Sequence, residues 1–290
     1  MSNLSRQYSG MVFAVVTACG LGAITTQAKI FYADGGNALT LMLARFLMSS
    51  LVFGLLLLLR QNNFKVAGEL RRPLVLLGFI WSGAMICYLM AVETISVSLA
   101  VLILYAYPLL VLAYSMMQRL LKPSLGLVSL FCAAFVGLYL ALSGSEVFLD
   151  VKGILFAVLA SCGAAFTFIC GARVAPAMSP LLMTFWINAL GLLMILPLMP
   201  GNFAWPTASA GLVALSLATV FYLVAILSQF EALARLPAAR AAFLLNLEPV
   251  VSILLARMVL NETLSNVQLA GVILVVSVII LSLRFKPDTA

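Results

Sequence analysis

The sequence contains no histidine, and acidic side chains are scarce: nine Asp and Glu against sixteen Lys and Arg in 290 residues. Its five cysteines (Cys19, Cys87, Cys132, Cys162, Cys170) form no CxxC pair. That argues against a zinc centre, a redox dithiol or a disulfide framework. No cofactor is expected. All five cysteines lie in apolar runs and read as small buried apolar residues. Also missing are a Walker loop and a catalytic triad, so an ATP-driven pump is not indicated. Low-complexity tracts and a collagen period are absent too. Charged residues make up 9% of the chain, against about 25% in ordinary soluble domains.

What fills the chain is apolar: 64% of its residues are hydrophobic. A soluble chain of this length could not hide that much apolar surface in one core. Breaking the sequence at charged and Gly/Pro/Asn-rich points leaves ten apolar runs. They are Gly10 to Phe31, Ala38 to Leu59, Pro73 to Ala91, Val97 to Leu121 and Ser124 to Ser143, then Gly153 to Val174, Ser179 to Met199, Ala208 to Leu233, Arg240 to Leu260 and Ser265 to Leu283. Each approaches the about 20 residues a helix needs to cross a bilayer core. The expected fold is therefore an all-α integral membrane protein with ten transmembrane helices.

A formal net charge of +7 could point to an anionic partner, but the basic residues are spread over many short loops. Loop bias in a membrane protein explains this better than nucleic acid. With an interior N-terminus, twelve basic residues fall inside and three (Lys29, Lys152, Arg257) outside, with Arg45 in a span. The positive-inside rule selects this orientation, with both termini cytoplasmic. Val16-Thr17-Ala18-Cys19 resembles a lipoprotein cleavage box. The same register recurs at Cys162, so a structural role in both copies is the better reading.

That recurrence belongs to a wider repeat. GMVFAVVTACG, Gly10 to Gly20, and GILFAVLASCG, Gly153 to Gly163, lie 143 positions apart and share six of eleven residues. The fourth and ninth runs also align, with Pro108 facing Pro249. The chain reads as two five-helix repeats, residues 1–145 and 146–290, joined by Gly144 to Asp150 on the outside. An odd number of spans per half inverts the second half, a common plan of secondary transporters. Proline inside a helix removes a backbone bond, so both helices should bend at symmetric places, as packing kinks or as hinges for alternating access.

Polar groups inside apolar spans mark candidate contacts. Arg45 lies in the second span, with Asn188 as its repeat counterpart; it serves structural pairing or substrate contact. Glu248 lies near the middle of the ninth span, where the first copy has Tyr107; it is a proton carrier, a contact for a substrate ammonium, or a hinge hydrogen-bonding group. Trp81 and Tyr88 are seven apart on one helix face, as are their counterparts Tyr222 and Gln229. These four suit a cavity wall, against the alternative of an interfacial aromatic belt. Tyr105 joins them as a substrate contact; Asn246, Thr17, Thr167 and Ser161 are weaker. Gly20, Gly22 and Gly163 read as sites of close helix approach.

The second copy carries Ala241-Ala242-Phe243, Leu247-Glu248-Pro249, Asn261-Glu262-Thr263-Leu264, Gln268 and Gly271. With the two five-helix halves, this resembles the EamA-type members of the drug/metabolite transporter superfamily. The first copy departs from the motif, with Leu121, Leu127 and Leu130 where Glu262, Gln268 and Gly271 stand. Within that family the chain is most similar to exporters of aromatic and other neutral amino acids of bacterial inner membranes. The resemblance implies export of a small neutral or zwitterionic molecule by alternating access. Multidrug or nucleoside export remains the alternative within this fold, and proton coupling and facilitated diffusion both stay open. A lipid-modifying enzyme is disfavoured because Asp34, Asp150 and Asp288 are isolated and outside the spans. A channel is disfavoured because the polar groups gather near the middle rather than along a pore.

Overall fold

A computed structural model describes residues 3–61, 63–121, 124–143, 150–260 and 263–282. Residues 144–149 of the loop expected between the repeats, Asn261 and Glu262 of the second-copy motif, and Asp288 lie outside the described residues.

Every regular element among the described residues is helical. Eight segments are long and apolar enough to cross a membrane, and two apolar helices of 17 residues, α6 (Leu125–Ala141) and α12 (Asn266–Ser282), are shorter. α1 (Asn3–Ala33), α2 (Ala38–Leu59) and α3 (Gly68–Thr94) are continuous. The fourth apolar run is two helices, α4 (Val97–Leu104) and α5 (Tyr107–Met117). α7 (Val151–Val174), α8 (Pro180–Ile195) and α9 (Ser209–Leu233) are again continuous. The ninth run is likewise split, into α10 (Ala238–Leu244) and α11 (Leu247–Leu260).

Polar side chains at the run boundaries set the helix starts. Asn37 accepts the Thr40 N–H at 2.8 Å ahead of α2, and Asp150 accepts the Lys152 N–H at 3.1 Å ahead of α7. Ahead of α12, the Ser265 N–H donates to Gln268 Oε1 and the Gln268 N–H to Ser265 Oγ, at 2.9 and 3.2 Å. This is a capping box that satisfies two otherwise orphaned donors. The Gln268 amide also donates to the Ser143 carbonyl at 3.0 Å, tying the start of α12 to the end of α6.

The halves interleave. α1 packs along α9 and α11, while α7 packs along α3 and α5; α2 pairs with α8, and α6 with α12. The opening motifs make these crossings. A Cβ on Gly20 would lie 2.9 Å from Ala225 Cβ of α9, and one on Gly163 would lie 2.6 Å from Ala84 Cβ of α3. Ala84 and Ala225 are 141 positions apart, so the same small-residue contact is built twice. A Cβ on Gly22 would meet the Glu248 carbonyl oxygen at 2.7 Å, which leaves room only for hydrogen between α1 and the start of α11.

The cysteines depart from the expectation of burial: Cys19, Cys132 and Cys162 are exposed and Cys87 and Cys170 are half-buried. The reason is rotational. A residue turns about 100° around a helix, so where Gly20 and Gly163 face the partner helix, their neighbours Cys19 and Cys162 turn outward.

Contacts between distant segments sort into two ends. At one, Asn37 Nδ2 donates to the Asn202 carbonyl at 2.7 Å, the Ala204 N–H to Thr40 Oγ1 at 2.9 Å, and the Thr207 hydroxyl to the Asp34 carboxylate at 2.9 Å. At the other, Arg6 donates to the Ala234 carbonyl at 2.7 Å, Trp186 Nε1 to the Phe64 carbonyl at 3.2 Å, and the Arg173 guanidinium to the Tyr114 hydroxyl.

Candidate functional site

Both broken helices are interrupted just ahead of their prolines. Where the sequence pattern puts Pro108 and Pro249 in helix interiors, each instead sits in the first turn of a new helix, α5 and α11. There the missing N–H costs little, because the first N–H groups of a helix have no intrahelical partner anyway. The turns before them are tight: the Ala106 N–H reaches the Ile103 carbonyl at 3.1 Å, and the Glu248 N–H the Leu245 carbonyl at 2.9 Å.

These interruptions aim side chains into the bundle. Tyr105 and Tyr107 flank the first and are buried, their ring centroids 5.8 Å apart. Asn246 and Glu248 flank the second; Asn246 is buried and its amide donates to the Phe243 carbonyl at 2.9 Å. The two breaks meet. The Glu248 carboxyl lies within side-chain hydrogen-bonding reach of Tyr105. α10 and α5 pack together beside this junction.

A second group is built from α2, α8 and α9. Tyr222 of α9 is buried, with its hydroxyl donating to Asn188 Oδ1 of α8 at 3.0 Å. Its ring receives the Arg45 guanidinium of α2, 5.2 Å from the centroid, and packs edge-on to Phe46 at 6.3 Å. A cation over an aromatic face gains electrostatically from the ring quadrupole. Trp81 lies close to the Tyr222 hydroxyl. Its buried Nε1 has no hydrogen-bond partner among the described residues. The remaining member of the symmetric face, Gln229, is 1% exposed, and both amide atoms lack a partner among the described residues.

Of the sequence candidates, Trp81, Tyr105, Tyr107 and Tyr222 are buried in the main core, Arg45 lies over the Tyr222 ring and Glu248 reaches Tyr105. Tyr88 packs against a smaller cluster around Ala91 and Ala157, and Gln229 lies one face-repeat from Tyr222 on α9. The weaker candidates Thr17 and Thr167 bond their own helix carbonyls, Phe13 at 2.8 Å and Gly163 at 2.9 Å. Phe168, whose ring centroid is 5.0 Å from that of Tyr107, was not legible as a wall residue. Within an apolar run nothing separates it from a phenylalanine facing lipid. An open depression of about 480 Å³ lined by Lys29, Ile30, Ala33, Asp34, Ala210 and Leu260 includes none of these residues. No group of three or more His, Cys, Asp or Glu side chains among the described residues could hold a metal ion.

Comparison with known proteins follows the same two-part division. Residues 8–143 and 151–284 each match the EamA-like transporter family. A solved structure titled only "Crystal structure of protein" superposes with a TM-score of 0.76 at 18% identity, covering 97% of this chain and 99% of that one. At that identity the likeness concerns the fold alone. No curated protein matches the chain.

Proposed function

This chain belongs to the EamA-like transporter family, and from that premise we propose that it exports small neutral or zwitterionic metabolites, aromatic and other neutral amino acids among them. The family makes it a multi-pass membrane transporter of small molecules rather than an enzyme. The site lies at the junction of the two broken helices, and the repeats, residues 1–145 and 146–290, are inverted halves of one ten-span membrane domain. Both termini are cytoplasmic in a bacterial inner membrane, and the halves exchange roles in alternating access.

One observation carries this reading: Tyr105, its ring against that of Tyr107 at one helix break, meets Glu248 at the other, where α5 and α10 pack together. Breaks free backbone polar groups, which membrane helices tolerate where they are buried in protein or line a cavity. Aromatic faces offer stacking to apolar or aromatic substrate side chains and attract ammonium groups. Two symmetric breaks that touch also give each half a flexible point beside the site, with Pro108 and Pro249 as the hinges.

The direct test is uptake in liposomes reconstituted with the full chain, using a panel of labelled amino acids with and without a pH gradient. Saturable uptake of aromatic and large neutral amino acids is expected. Uptake of nucleosides or lipophilic cations with none of amino acids would replace this substrate class. Dependence on the gradient separates proton antiport from facilitated diffusion.

A further inference from the structure

Asp34, the residue after α1, reaches across to the other half. Its carboxylate accepts the Ala208 N–H at 2.9 Å through Oδ2 and 3.1 Å through Oδ1, and the Thr207 hydroxyl at 2.9 Å. The Thr207 N–H donates to the Asp34 carbonyl at 3.1 Å. Ala208 is the N-cap of α9, an alanine that cannot cap the helix itself. Asp34 therefore does for α9 what an acid at the third helical position does in a capping box, but from another helix. A carboxylate at a helix N-terminus also gains from the dipole there. Gly211, at that third position, leaves the space, since a Cβ on it would overlap Asp34 Oδ2.

The inverted counterpart of this contact is the end of α7 against the start of α3. The offsets of 143 and 141 positions set Ala177 opposite Asp34, Val66 opposite Thr207, Ala67 opposite Ala208 and Leu70 opposite Gly211. Ala67 is the N-cap of α3, again an alanine with no side-chain cap. Here the likeness stops. Ala175 to Ser179 contains no acid, Val66 has no hydroxyl to donate, and Leu70 fills the position that glycine leaves open. Glu69, in the first turn of α3, is exposed and belongs to that helix in any arrangement. The bonds from Arg6, Arg173 and Trp186 at this end reach Ala234, Tyr114 and Phe64, not the start of α3.

In inverted repeats one access state becomes the other as the two halves exchange arrangements. Closing the inner end would then set Ala177 against Ala67 as Asp34 now meets Ala208. Resting on the inverted-repeat, alternating-access reading above, we infer that Asp34 is a one-sided latch, which favours the state closed at the outer end over the state closed at the inner end. The cap is made in one state and has no equivalent in the other, so its contribution falls on the equilibrium between them. A protein that waits with its outer end closed collects substrate from the cytoplasm, as an exporter must.

The test is the distance distribution between spin labels on the full-length protein in liposomes, in a background lacking the five cysteines. Labels at Ala33 and Phe203 span the outer end, and labels at Lys65 and Ser179 span the inner end; all four positions are exposed. Asp34→Ala should raise the ratio of long to short outer distances about two- to thirtyfold, the range for a lost cap, with the opposite change at the inner end. Gly211→Ala keeps the acid but displaces its carboxylate, so it should act in the same direction. Added to Asp34→Ala it should change little more, because both remove one contact. An unchanged or lowered ratio in either folded single variant overturns the latch, and so do fully additive effects in the double variant. Alternating access survives these outcomes wherever the two ends still open reciprocally. One fixed distance at each end in every protein overturns both.

Discussion

The guanidinium of Arg45 lies 5.2 Å from the centroid of the Tyr222 ring, and the hydroxyl of that ring is held by Asn188, the repeat counterpart of Arg45. Equivalent positions of the two halves thus grip one tyrosine from its face and from its tip. Polarity at this position is kept in both copies, but the two side chains use it differently.

Removing the hydroxyl alone should therefore be felt. Tyr222→Phe keeps the ring under Arg45 and leaves the buried Asn188 Oδ1 without its donor. An unsatisfied buried acceptor costs about 1–3 kcal/mol, so thermal unfolding of the purified variant should begin at a lower temperature. Parental stability would mean that the hydrogen bond contributes nothing.

The paired glycine contacts allow a size-swap test. Gly20→Ala and Gly163→Ala should each destabilise by about 1–3 kcal/mol, the usual range for overpacking, since the new Cβ would crowd Ala225 or Ala84. Adding Ala225→Gly to the first and Ala84→Gly to the second should recover much of the loss. Single variants as stable as the parent would show that these crossings are loose.

Topology can be read by thiol labelling in a background lacking the five cysteines. A cysteine at Asn202 should react with an impermeant reagent in intact cells. One at Gln61 should react only after the cells are opened. The opposite pattern would reverse the orientation that the basic residues select.

What the sequence revealed was whatever repeats or carries a local rule. The opening motif showed the duplication, and its glycines became the crossings with α9 and α3. The apolar runs located the helices, and Pro108 and Pro249 marked where two of them fail. The side of the break was not legible, because a proline is compatible with ending one helix or starting the next. Nor could local pattern tell that the two breaks meet, since the contact of Tyr105 with Glu248 spans 143 positions. Cys19, Cys132 and Cys162 were misread for a related reason: lipid is as apolar as the protein interior, so hydropathy does not distinguish the two faces of a membrane helix.

The breaks themselves give a kinetic expectation. Pro108→Ala and Pro249→Ala each return a backbone donor next to an interruption and favour a continuous helix. Exchange of labelled substrate across liposomes should slow while equilibrium binding persists. Parental rates in both variants would make the prolines packing features rather than hinges.

The most direct measurement concerns where the substrate sits: the ratio of apparent affinities for aromatic and small aliphatic amino acids in reconstituted Tyr88→Ala and Tyr222→Ala. A well-packed ring pair is worth about 0.5–1.5 kcal/mol beyond its area. Each variant should therefore lose about two- to tenfold of its preference for aromatic substrates, with a smaller change for alanine or serine. Unchanged selectivity in both variants, with folded protein confirmed in the liposomes, would contradict a substrate site at the junction of the broken helices.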